Sequence, residues 1–225
     1  MKVKMVVLAG MLLAAAPVFA SGLTIDFSHP NTISGDTATY TVGSNTVTAV
    51  GYECSDSTLQ SGCSTSGLSL FAKLGGVGET GLGISNGGDN EIDSDQFIQF
   101  DFGQLAHMGI TSLTFNIESV QDGEGFRIFQ SDAAGDPEDL LTTVTGNGSN
   151  NPNSIASATV TVSLDGDNFI DISSLENADT SNDVLVGGAS SPNSATPEPG
   201  TLVLFGTGLL VAGFGLRRRS AGQSA

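Results

Sequence analysis

The chain reads as an all-β protein, a β-sandwich of jelly-roll type, with an N-terminal signal helix and a C-terminal transmembrane helix at its ends. Three observations carry that expectation. Apolar and polar residues alternate with period two over about ten short segments, clusters of Gly, Asn, Asp, Ser and Pro separate those segments, and helical patterns are few. Period two places one face of each strand toward a core and the other toward water.

The first element is a targeting segment. Lys2 and Lys4 precede an apolar stretch from Met5 to Ala16, followed by Pro17 and then Val18-Phe19-Ala20. A charged start, an apolar run too short to span a bilayer and small residues before a cut after Ala20 mark residues 1–20 as a removable signal peptide. A retained signal anchor is the other reading, and the helix-breaking Pro17 with the small-residue site favours cleavage.

Strands are expected over Leu23–Phe27, Ala38–Val42, Thr46–Tyr52, Leu68–Lys73, Gln96–Phe102, Thr111–Glu118, Gly125–Gln130, Leu140–Val144, Ala156–Leu164, Phe169–Ile172 and Asp183–Val186. Thr111–Glu118 alternates cleanly. In Gln96–Phe102, Phe97, Gln99 and Asp101 share one side while Gln96, Ile98, Phe100 and Phe102 take the other. The turns are chemically explicit, as in Asp122-Gly123-Glu124-Gly125 and Asp165-Gly166-Asp167-Asn168. Leu175–Ala178 is compatible with a single helical turn. A flexible stalk rich in Gly, Ser, Asn and Ala is expected over Gly187–Thr196. The domain plan is therefore a signal peptide at 1–20, a sandwich at 21–188, a linker at 189–196 and a sorting and membrane segment at 197–225.

Cys54 and Cys63 are the only cysteines and bracket a polar loop of eight residues. In an exported protein such a pair is most simply a disulfide, contributing about 2–3 kcal/mol by loop entropy. A zinc site is disfavoured, because zinc takes four ligands and neither His29 nor His107 stands at a telling spacing from the pair.

Charge narrows the partners. The chain has 24 acidic residues against 7 basic ones, a net −17. All the acids but Glu198 lie between residues 21 and 196, where the only basic side chains are Lys73 and Arg127. Such a surface repels nucleic acid and favours cations. The sharpest acidic segment is Asp89-Asn90-Glu91-Ile92-Asp93-Ser94-Asp95. If it is extended, Asp89, Glu91, Asp93 and Asp95 point the same way, an arrangement that suits calcium as a hard ion taking six to eight oxygens. The alternative is a solvated acidic loop. Phe100 occupies the place of the closing glutamate of an EF-hand, so that motif is excluded.

No catalytic residue is assigned. His29 and His107 each stand alone, and neither a Gly-x-Ser-x-Gly elbow, a His-Glu-x-x-His motif nor a phosphate-binding glycine loop with lysine occurs. Acidic pairs abound by composition, so pairing alone does not indicate a glycosidase. Carbohydrate binding is the alternative function. It is thinly supplied with stacking groups, since Trp is absent, Tyr40 and Tyr52 are the only tyrosines, and most of the 12 Phe alternate like core residues.

The last element is Pro197-Glu198-Pro199, an apolar run from Thr201 to Leu216, and Arg217-Arg218-Arg219. Three guanidiniums cross lipid only at high cost, so the arginines stay on the cytoplasmic side and the acidic domain lies outside the inner membrane. As a helix the 16 apolar residues reach roughly 24 Å against a hydrocarbon layer of roughly 30 Å, a marginal span that suits a transient anchor. An ordinary membrane anchor is the plain alternative.

This tail resembles the PEP-CTERM sorting signal of exopolysaccharide-producing Gram-negative bacteria. The resemblance implies exosortase as a partner, a cut near Pro197-Glu198-Pro199, and delivery to the cell surface or extracellular matrix. That route and the expected sandwich together make exopolysaccharide the candidate ligand of the alternative function. Upstream, Glu79-Thr80-Gly81-Leu82-Gly83, Glu91-Ile92-Asp93, the strand Phe97–Phe102 and Gln121-Asp122-Gly123-Glu124-Gly125 are similar to a recurrent exported domain found before such tails. Asp183-Val184-Leu185-Val186 is a weaker echo of it. That resemblance implies a β-sandwich and assigns it no chemistry.

Overall fold

The computed structural model describes residues 22–75, 79–85, 90–121, 123–146, 157–164, 168–175 and 183–191. The strands among them are β1 (Thr24–Asp26), β2 (Thr32–Ser34), β3 (Thr37–Val42), β4 (Asn45–Glu53), β5 (Ser69–Leu74), β6 (Thr80–Ser85) and β7 (Gln96–Asp101). A short helix, α1 (Gly103–His107), leads to β8 (Ser112–Glu118), β9 (Gly125–Ser131), β10 (Asp139–Thr145), β11 (Ser157–Ser163), β12 (Phe169–Ser174) and β13 (Leu185–Ser190).

Two antiparallel sheets result. The first has the order β11-β8-β13-β6-β5 with β1 added on β13, and the second the order β10-β9-β12-β7-β4-β3-β2. Two-residue turns close the hairpins β2–β3 and β3–β4, and Gly35 and Gly43 take the positive φ that such turns need. From β7 onward the chain changes sheet at almost every connection. β13 organises the first sheet. It pairs with β8 along most of its length, with β1 over Gly188–Ser190, and with β6 at Val186.

The core lies between the sheets, as expected for a sandwich. Ile98, Phe100, Ile128, Ile170 and Ile172 of the second sheet meet Leu82, Leu113, Phe115, Ile117 and Val186 of the first in one buried cluster. Phe27, Phe100, Phe102 and Phe115 form a chain of ring contacts across it, with centroids 4.5 to 6.3 Å apart. The Tyr40 hydroxyl donates to the Phe27 carbonyl at 3.0 Å, so the buried phenol keeps a partner.

Several expectations are corrected. Period two implied one buried face for β7, yet both faces are buried from Gln96 to Phe100, because loops cover the outer face of the second sheet. β2, β6 and α1 depart from the expected set. β6 is Thr-Gly-Leu-Gly-Ile-Ser, and its glycines are there for close approach: a Cβ on Gly83 would stand 2.1 Å from the Asn90 carbonyl oxygen, and one on Gly81 would stand 2.9 Å from the Val186 backbone. Gly187–Ser190, expected to open a flexible stalk, are strand instead, and the rest of that expected stalk from residue 192 lies outside the described residues. Gly187–Ser190 continue β13, and the Ser191 N–H donates to the Leu23 carbonyl at 3.0 Å. Small side chains there permit close strand pairing as readily as they permit a flexible linker.

No helix among the described residues is long and apolar enough to cross a membrane. The expected signal segment 1–20 and tail 197–225 lie outside the described residues, as do Glu176–Ala178 of the expected helical turn.

Candidate functional site

The acidic motifs, distant in sequence, converge at one end of the first sheet. Lys73 of β5 donates through Nζ to Glu79 Oε2 at 2.7 Å and to Glu91 Oε1. The Ser119 hydroxyl, held at a φ of 61°, donates to Glu79 Oε1 at 3.4 Å, and the Gln121 N–H donates to Glu124 Oε2 at 2.7 Å. Glu79 opens the Glu-x-Gly-Leu-Gly segment, Glu91 the Glu-Ile-Asp box, and Glu124 belongs to the Gln-x-Gly-Glu-Gly turn. Val184 of the weaker echo joins them, since Ile92 and Val184 exchange backbone hydrogen bonds.

Electrostatics distinguish the members. Burial works to raise the Glu79 pKa, and the hydrogen bond and charge of Lys73 outweigh it, so the carboxyl stays below its ordinary range. Glu91 is only 5% exposed, and burial pushes its carboxyl up against the opposing pull of Lys73. Burial also raises Glu118 and Glu124, and the neighbouring Glu79 charge adds to both. One ammonium thus serves two carboxylates beside two more glutamates. Lys73→Met is expected to destabilise the protein at pH 7.5, where Glu91 is left buried without its cation. The loss shrinks as pH falls through the carboxylate range, because Glu91 then protonates and the Lys73–Glu79 contribution is itself lost in acid. Urea unfolding of both proteins at pH 7.5 and pH 4 checks this; an equal deficit at both values contradicts it.

Of the four acids expected to share a side, Asp89 lies outside the described residues and Glu91 faces Lys73. The Gln96 N–H donates to the Asp93 carbonyl at 3.1 Å, closing a turn across Asp93–Gln96 that ends the extended course on which the shared side depended. Asp95 sits within that turn, its carbonyl accepting the Cys54 N–H at 2.8 Å. Among the described residues no group of three or more His, Cys, Asp or Glu is placed to hold a metal ion.

On the outer face of the second sheet, Cys54 and Cys63 form the expected disulfide, with sulfurs 2.10 Å apart. The loop that it closes lays Leu59 and Cys54 on Phe97 and Phe129, and Tyr52 stacks on Phe97 with centroids 4.9 Å apart. Arg127, which no motif singled out, fastens this layer. Its Nη1 donates to the Ser57 carbonyl at 2.9 Å, Nη2 to the Ser94 carbonyl at 2.9 Å and Nε to the Ser174 carbonyl at 3.1 Å, and the guanidinium lies 5.6 Å from the Phe129 ring centroid. On the neighbouring strand β12, cross-strand from Phe129, Asp171 is fully buried. Ser131 donates to its Oδ2 at 2.9 Å, while Oδ1 has no hydrogen-bond partner among the described residues. Burial pushes this carboxyl up to about 7.

A Ser-His-Asp trio occurs in Asp26, Ser28 and His29, and its geometry is unlike a catalytic relay. Asp26 Oδ2 and Ser28 Oγ both meet His29 Nδ1 at 2.8 Å, and the serine hydroxyl also donates to Asp26 Oδ1 at 2.6 Å. A relay needs the acid on one ring nitrogen and the serine on the other. His107 ends α1 in a separate part of the fold.

Downstream of this domain, residues 195–219 match the PEP-CTERM protein-sorting motif. The chain carries that motif. The PEP-CTERM match takes in Pro197, Glu198 and Pro199 as well as Arg217, Arg218 and Arg219, the residues singled out in the sequence. A PEP-CTERM tail implies an exported protein with exosortase as its processing partner. The PEP-CTERM residues lie outside the described ones, so they carry sequence identity and no geometry. No curated protein matches the chain.

Proposed function

We propose that the chain is a non-catalytic component of the bacterial surface or extracellular matrix. A removable signal peptide at residues 1–20 starts export. The segment from Thr201 to Leu216 then holds the protein briefly in the inner membrane with Arg217–Arg219 on the cytoplasmic side, and exosortase cuts near Glu198. The observation that carries this reading is the match of residues 195–219 to the sorting motif, which unites the Pro-Glu-Pro box, the apolar run and the arginines in order. The geometry of Ser28, His29 and Asp26 supports a role without catalysis. Fractionating producing cells with exosortase intact and deleted, and measuring the mass of the protein's C-terminus, tests the route. Release with a new C-terminus near Glu198 in the intact strain alone is expected; an uncut protein in both strains would leave a plain membrane anchor. Carbohydrate binding is the second reading, favoured by an open groove on the first sheet that carries hydroxyl, amide and carboxylate side chains.

A further inference from the structure

We propose that the outer face of the first sheet binds a neutral saccharide chain in the groove between β1, β13 and β8. The inference rests on the reading of the protein as a surface or matrix component and specifies what that component holds. The groove is shallow and open to solvent, offers about 350 Å³, and is lined by Thr24 and Asp26 from β1, Thr114 and Asn116 from β8, and the Gly187-Gly188 pair of β13. That volume lies at the small end of ligand-sized clefts.

The glycine pair makes the groove. The register between β13 and β8 shifts between Val186 and Gly188, a bulge that bares backbone in the middle of the sheet. A Cβ on Gly187 would stand 3.0 Å from Glu118 Cγ and 3.1 Å from Asn116 Nδ2, and one on Gly188 would stand 2.7 Å from the Ile25 carbonyl oxygen. The floor is therefore main chain, and the walls are hydroxyl, amide and carboxylate.

The lining selects the ligand's chemistry. Neither of the domain's two cationic side chains, Lys73 and Arg127, lines the groove, and Asp26 does. Burial works to raise the Asp26 pKa, and hydrogen bonds from Ser28 and His29 outweigh it, so the carboxylate persists to low pH. An anionic ligand is therefore repelled. The accessible lining is more carbon than heteroatom, and because Ile25 and Ala189 are themselves buried that carbon comes from threonine methyls and glycine main chain. Hydroxyl, amide and carboxylate groups are set among it, a mixture that suits a ligand with both C–H faces and hydroxyls. A neutral polyhydroxylated chain fits best, because its hydroxyls both donate and accept as do Thr24, Thr114 and Asn116, even though Thr114 already shares a hydrogen bond with Thr161, Asn116 Nδ2 donates to Glu118, and Asp26 is engaged by Ser28 and His29. No aromatic ring lines the groove to stack on a sugar, so each unit contributes weakly.

The test is affinity electrophoresis of the full chain in mild detergent, through gels containing neutral polymers such as dextran, β-1,3-glucan and galactomannan, or acidic ones such as alginate and polygalacturonate. Retardation is expected in at least one neutral gel, unchanged by 0.5 M salt, and absent in acidic gels. Asn116→Leu and Thr114→Val are expected to weaken it at least ten-fold with unchanged thermal melting, whereas Thr143→Leu on the exposed edge of the second sheet leaves it intact. Retention in acidic gels alone, no retention in any neutral gel, or equal retention of the groove variants would overturn the proposal. Competition by oligolysine that disappears in salt would also overturn it and would assign the groove to a cationic peptide. The sorting route stands or falls separately, on the C-terminal mass.

Discussion

Asp171→Asn is expected to raise the melting temperature at pH 8 by roughly 5–10 °C and to change it little at pH 4. Asp171 is completely buried in the middle strand of β9-β12-β7, and its carboxyl is pushed from an ordinary 3.8 up to about 7. Burial is the main cause, and the charges of Asp136 and Glu138 on the β9–β10 connection add to it, opposed by Ser131 and Gln99. Tyr52 from β4 is a further titratable group facing it. The folded state holds this proton above the pH at which the unfolded chain releases it. Stability from the protonated form is therefore complete below about pH 4 and declines as pH rises through about 7, a difference on the order of 4 kcal/mol. Asparagine keeps the shape and removes the charge. Calorimetric melting of both proteins across pH 4 to 8 shows the effect, and parallel curves would mean that Asp171 ionises without cost.

Arg127→Met should cost about 3 kcal/mol or more, measured by urea unfolding. The methionine keeps an apolar stem of similar length, but the Phe129 ring loses the guanidinium beside it and the carbonyls of Ser57, Ser94 and Ser174 lose their charged donor together. Arg127→Lys should recover only part of the loss, because one ammonium cannot reach three carbonyls in different directions as the planar fork does. The damage has an address. Hydrogen exchange should quicken at Ser55 and Leu59 in the disulfide loop while β8 and β13 keep their protection. Uniform acceleration through both sheets would show that Arg127 supports the whole fold rather than this layer.

Much of the sandwich was legible because strands with one wet face carry their period openly. β8 is the clearest case, with Leu113, Phe115 and Ile117 inward and Ser112, Thr114, Asn116 and Glu118 outward. Strands covered on both sides write no alternation. β9 is buried at every residue, and β6 hides behind glycines whose purpose is another segment's passage. The disulfide was readable from two cysteines in an exported chain, and the sorting tail from three ordered parts. The site was half readable: Glu79, Glu91 and Glu124 stood out in motifs, but the meeting of Glu79 and Glu91 at Lys73, with Glu124 nearby, depends on β5, β6 and a loop coming together. Arg127 left no signal beyond being one of two cations in an acidic domain. Gly187 and Gly188 looked like a linker because composition does not separate a bulge from a tether.

The place of β13 sets a timetable. Synthesis makes the amino end first, so β1 exists long before the strand that must hold it, and Leu23 waits for Ser191, 168 residues later. The meander β2-β3-β4 and the Cys54–Cys63 loop close locally and early. Half the sandwich must stay unfinished until almost the last residue ahead of the tail is in place, so a chain without the six residues of β13 would leave its first sheet without a middle.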